Sequence, residues 1–191
     1  MDLKKLVKEA YEIAREKGWH DTEVSFSDHI ANIHAELSEA WEEWRNNQEL
    51  NEIYYECKYI KTGVCDNAGD CDECKGIDCK HAKPCGIPVE LADVIIRVCD
   101  TLGSLGVNTN QLKTRFIGRN IFNFSGLINV GHIYLDKALT LKNSTDYLYT
   151  LIIEIQAFCN CYIWKLDLEK AIELKMAYNK TRPRLHGGKR V

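Results

Sequence analysis

The chain has 191 residues, 45% of them hydrophobic, and a formal net charge of -3 at pH 7. That size suits one globular domain with a sizeable core, and the near-neutral balance excludes a nucleic-acid binder working by bulk charge, which needs a basic stripe. No run approaches the roughly 20 apolar residues of a membrane span and the charged start MDLKKLVKEAYEIAREKG lacks an apolar signal core, so a cytoplasmic protein is expected, with no membrane and no stable nucleic-acid partner.

Leu3, Leu6, Val7, Ala10, Ile13 and Ala14 recur at helical spacing over 2–17, and Gly18 is placed to end that helix in the left-handed conformation. Trp19 and His20 follow, and Trp19 reads as a core or interface residue rather than a platform for a base. A second helix is predicted from Ser27 or Asp28 as N-cap to about Asn47, with Ile30, Ile33, Leu37, Ala40, Trp41 and Trp44 on its apolar face. His29 and His34 read as polar residues at the margin of that face.

Helical periodicity fades after Tyr59, and residues 50–86 read as an insert rich in Cys, Gly, Asp and Lys. Of nine cysteines, Cys57, Cys65, Cys71, Cys74, Cys79 and Cys85 fall there. In a reducing compartment such clustering suggests metal ligation before disulfides. A Cys71/Cys74 knuckle closed by Cys65 and Cys79 would hold a structural Zn2+, with His81 and Cys85 as alternative ligands, an iron–sulfur cluster as the second choice and free thiols as the third.

Pro88 fits the first position of a third helix ending near Gly103 or Gly106. Further helices are predicted over 109–140, 144–165 and 168–180. Strand signals are weak, so the fold class is all-α, a helical bundle forming one domain over 1–191 with the cysteine-rich insert between its second and third helices.

The third helix, PVELADVIIRVCD, is apolar almost all round except for Glu90, Asp93, Arg97 and Asp100, spaced three and four apart on one stripe. A helix cap at Glu90 and an Asp93–Arg97 ion pair would account for this helix alone. In HAELSEAWEEW, however, Glu36 lies at the core margin and Glu39 just beyond. If the third helix covers that flank, Glu36, Glu39, Glu90 and Asp93 converge, and four carboxylates at close range call for a divalent cation. An all-oxygen set favours Mg2+ or Mn2+, which also accepts phosphate oxygens.

This ExxE followed by ExxD resembles the motif pair of the all-α nucleotide pyrophosphohydrolases, the MazG-like superfamily that includes dimeric dUTPases and dCTPases. GIPVELADVIIRVCD is similar to the family's second-motif helix, and KMAYNKTRPRLHGGKRV to its C-terminal tail. Two features depart from the pattern: Ala35 stands where the first motif commonly has another acid, and the insert lengthens the gap between the motifs. The resemblance implies Mg2+-dependent hydrolysis of a nucleoside triphosphate between its α and β phosphates, giving a monophosphate and pyrophosphate. Glu36, Glu39, Glu90 and Asp93 would hold the metal, and Glu39 or Glu36 would orient the attacking water. It further implies a homodimer or homotetramer.

On the last predicted helix Lys175, Asn179 and Arg182 share a face. Complementing the helix dipole would explain the two cations, but the resemblance implies contact with substrate phosphates, with the HGGK segment as a lid. A non-enzymatic helical scaffold with a zinc-binding module and a nucleotide sensor without turnover are the competing readings.

Overall fold

The structure, a computed structural model, describes residues 1–56, the backbone of 64–65, and residues 82–118, 121–161 and 165–185. Among them are six α-helices: α1 (Leu3–Glu16), α2 (Phe26–Arg45), α3 (Ile87–Ser104), α4 (Phe124–Thr140), α5 (Ser144–Cys159) and α6 (Leu168–Thr181). The mainly α-helical class expected from the sequence is therefore present. None of the helices is long and apolar enough to cross a membrane.

The bundle is organised around α3. Because its apolar residues lie on nearly every side, only Arg97, Gly103 and Ser104 of its eighteen residues escape burial. α1, α2 and α6 pack along it, α5 touches it, and α4 joins α2 to α5. The α1–α3 approach depends on Gly103, where a Cβ would lie 2.6 Å from the Cβ of Tyr11. Leu37, Leu91, Ile95, Leu102, Leu127, Leu135, Leu148 and Leu151 fill the core.

Four element boundaries differ from the sequence expectation. α2 starts earlier, because Ser25 forms a capping box with Asp28: the Ser25 hydroxyl accepts from the Asp28 N–H and the Asp28 carboxylate from the Ser25 N–H. Pro88 is the second residue of α3, after Ile87. The largest difference is 109–140, where helix begins only at Phe124.

In that segment side chains on neighbouring helices capture the backbone donors that a helix would use. The Lys113 N–H donates to Asp146 (2.9 Å), the Arg115 N–H to Thr150 (2.7 Å) and the Ile117 N–H to the Tyr134 hydroxyl (3.4 Å). Beyond a 3-10 turn at Thr109–Gln111, residues 112–118 thus run as an irregular strap against α4 and α5. Similarly α5 stops at Cys159 rather than 165, and the Leu166 N–H turns back to the Cys159 carbonyl (3.1 Å).

The insert enters and leaves through a small antiparallel sheet that sequence periodicity did not reveal. Strand β1 (Tyr54–Glu56) lies between β2 (Val64–Cys65) and β3 (Lys83–Cys85). Three-residue strands carry too little alternation to register as a pattern, and Pro84 is tolerated because β3 is an edge strand. The pairing Tyr54↔Cys85 and Glu56↔Lys83 brings Lys83 to the start of α3. Gly86, at φ +108°, makes that transition.

Candidate functional site

The charged stripe of α3 meets the acidic flank of α2. Glu36 (8% exposed) and Glu90 (2%) are buried and Glu39 is at the rim, and each of the three offers a carboxylate oxygen within 4.8 Å of the others. Opposite ligands of an octahedral Mg2+ stand about 4.2 Å apart, so small side-chain movements would bring these oxygens onto one ion. The Oε2 atom of Glu90 is buried without a hydrogen-bond donor, an acceptor still open to a cation. The chemistry of this set fits a hard divalent ion.

Asp93, the fourth carboxylate expected there, lies one turn along α3, but its Oδ2 is held by Lys175 of α6 at 2.7 Å. Lys175 is 2% exposed and also stands 3.8 Å from Glu90 Oε2. Burial works against its charge, yet Asp93 and Glu90 outweigh that penalty and push its pKa up. Lys83 adds a second basic neighbour at 4.0 Å from Glu90 Oε1.

Arg97 does not take Asp93, its neighbour one turn away. Its Nε donates across the helix interface to Glu36 Oε1 (3.1 Å), while its guanidinium lies over the Trp19 ring, 5.9 Å from the centroid. The acidic cluster is thus rimmed by cations on two sides. Burial still dominates at the centre: it raises the Glu90 pKa to about 7, with Lys175 opposing and Asp93 reinforcing the shift. Glu36 is raised for the same reason, reinforced by Asp93 and opposed by Arg97.

Next to these carboxylates a narrow cleft opens between α1, α3 and α6. Asp93, Arg97, Asn179, Arg182, Lys17 and Trp19 contribute to its walls. Trp19 reaches it through the end of α1, where the Gly18 N–H donates to the Arg15 carbonyl (2.9 Å) and the Trp19 N–H to that of Ala14 (3.0 Å), a Schellman closure. Arg182 is placed by the segment that follows α6. There the Leu185 N–H donates to the Lys17 carbonyl (2.9 Å), Lys17 Nζ to the Lys180 carbonyl (2.6 Å), and Arg184 pairs with Asp21. Asn179 Oδ1 is a second buried acceptor with no donor.

Lys175, Asn179 and Arg182 therefore do not act alike. Lys175 belongs to the carboxylate cluster, whereas Asn179 and Arg182 belong to the cleft, where a planar guanidinium and an amide can recognise an anion. Sequence reasoning missed His20, whose Nε2 lies 2.7 Å from Asp100 Oδ1 at the far end of the cleft. Eighty positions separate the two, and no local spacing marks the pair. It also missed Lys83, one of several lysines in the insert that nothing in the local spacing sets apart.

The proposed zinc ligands Cys71, Cys74 and Cys79, with Cys57, His81 and the side chain of Cys65, lie outside the described residues, as does the HGGK segment. Cys85 is described, buried and free, with its thiol 3.5 Å from the Lys83 carbonyl. Comparison with known protein families, curated proteins and solved structures finds no match to this chain.

Proposed function

We propose that the protein is an Mg2+-dependent nucleoside triphosphate pyrophosphohydrolase of the MazG-like type, cleaving its substrate to a monophosphate and pyrophosphate. The observation that carries this reading is the convergence of Glu36, Glu39 and Glu90, with a donorless Glu90 oxygen, beside a cleft walled by Arg97, Asn179 and Arg182. A triphosphate needs both halves of this arrangement: oxygen ligands for its cation and fixed donors for its non-bridging oxygens.

When bound to Glu36, Glu39 and Glu90, Mg2+ would supply positive charge for the phosphate oxygens. Arg182 and Arg97 bind phosphate oxygens through guanidinium hydrogen bonds, and Asn179 Oδ1 accepts from a sugar hydroxyl or base amine. Lys175 holds Asp93 at 2.7 Å and sets positive charge beside the carboxylates, where it would also attract phosphate oxygens. Glu39, the most exposed of the acids, orients the attacking water and accepts its proton.

The test is incubation of the purified protein with Mg2+ and a panel of canonical and modified nucleoside triphosphates, following pyrophosphate and orthophosphate separately. Pyrophosphate release that is lost in Glu39→Gln and Asp93→Asn, both folded, is the expected result. Binding without turnover would leave a nucleotide sensor, and neither binding nor turnover would leave a scaffold.

A further inference from the structure

His34 on α2 and His132 on α4 meet at the interface of the two helices. Their Nδ1 atoms are 2.7 Å apart, while the ring centroids are 4.9 Å apart and the planes differ by only 10°. The nitrogen separation is so much shorter than the centroid separation that the rings approach edge-on, with the two Nδ1 atoms aimed at each other. One Nδ1–H donates to the other nitrogen's lone pair, so a single proton joins the two imidazoles. Two soft-to-borderline nitrogen ligands from different helices thus converge on one point.

Asp136 follows His132 by one helical turn on the same exposed edge of α4, and its charge acts on His34. His34 stands two residues from Glu36, about 200° round α2, and therefore belongs to the flank opposite the carboxylate cluster. Neutral imidazoles are the form that ligates metals.

We propose that His34 Nδ1 and His132 Nδ1 form a second metal site, one for a zinc-class divalent cation that replaces the shared proton and staples α2 to α4, with the Asp136 charge one turn away to favour the ion. With Zn–N distances of 2.0–2.1 Å at a tetrahedral angle, two ligand nitrogens stand about 3.3 Å apart. The pair needs to open by about half an ångström and each ring to tilt by about 35° so that both lone pairs meet at the ion. Two imidazole nitrogens, with the remaining positions open to water, suit Zn2+ and are poor for Mg2+.

Zn2+ binding to the full chain, measured by equilibrium dialysis in a large excess of Mg2+, tests this site against both the acidic cluster and the cysteine insert. The wild type is expected to bind one more Zn2+ per chain than His132→Asn or His34→Asn, and Asp136→Asn to weaken that ion by about tenfold. Equal Zn2+ stoichiometry in the wild type and both histidine variants overturns the proposal. Imidazole nitrogen NMR of the wild type gives a readout that does not depend on the variants folding. The Nδ1 resonances of His34 and His132 shift together on Zn2+ addition, and their failure to move overturns it equally.

Discussion

Glu90 pits stability against the proposed cation site within one residue. Burial raises its pKa from an ordinary 4.5 to about 7, so the folded chain holds the proton more tightly than the unfolded chain. The cost of keeping it ionised is complete above the folded value, shrinks as pH falls toward 4.5 and vanishes below. Glu90→Gln keeps the shape and removes that cost. In chelator the variant is expected to be more stable than the wild type at pH 8, by up to about 3 kcal/mol, with the gain fading through pH 6 and absent at pH 4. Chemical denaturation at the three pH values checks it, and a gain independent of pH would place its origin elsewhere. Lys175 is the complementary case, because Lys175→Met leaves Asp93 and Glu90 buried without their shared cation. A loss of about 3–5 kcal/mol is expected. Millimolar Mg2+ should recover more stability in this variant than in the wild type, since the ion then meets carboxylates with no resident ammonium to displace. The same Mg2+ effect in both proteins would argue against a divalent ion in this cluster.

Between elements, the tightest requirement is the step from β3 into α3. Gly86 sits at φ +108°, and a Cβ there would fall 2.3 Å from the Glu52 carbonyl oxygen. Gly86→Ala therefore suffers both backbone strain and a clash with main chain that cannot swing away. A loss of at least about 2 kcal/mol is expected in urea unfolding, and because the α3 N-terminus carries Glu90, Mg2+ affinity should fall with it. The helices themselves were legible because a helix buried on one side repeats its apolar residues at a fixed interval, and α1, α2 and α6 do so in the sequence. Residues 112–118 were not legible: their apolar residues have helical spacing, but Asp146, Thr150 and Tyr134, all distant in sequence, take the backbone donors. The site was legible to the same extent. Spacing put Glu36 with Glu39 and Glu90 with Asp93 on single faces, but local pairing suggested Arg97 for Asp93. The packed helices instead gave Arg97 to Glu36 and Asp93 to Lys175.

At the scale of the molecule, the three helices that wall the cleft are joined differently from the rest. α1, α3 and α6 meet around Asp93, Arg97 and Asn179, and the chain after α6 is tied to the end of α1 through Leu185, Lys17, Arg184 and Asp21. α4 and α5 pack on each other and reach the cleft only through α2 and α3. A ligand that engages Arg97, Asn179 and Arg182 at once has to hold α3 and α6 in one arrangement, and α1 with them through its ties to the chain after α6, whereas α4 and α5 gain no new contact. Amide exchange in those three helices should slow together when Mg2+ and a non-hydrolysable triphosphate are added, most strongly at the end of α6 and in residues 182–185, where surface hydrogen bonds open most readily. Exchange in α4 and α5 should change little. Protection spread evenly over all six helices would point to general stabilisation by binding elsewhere, and protection confined to α4 and α5 would move the nucleotide site out of the cleft.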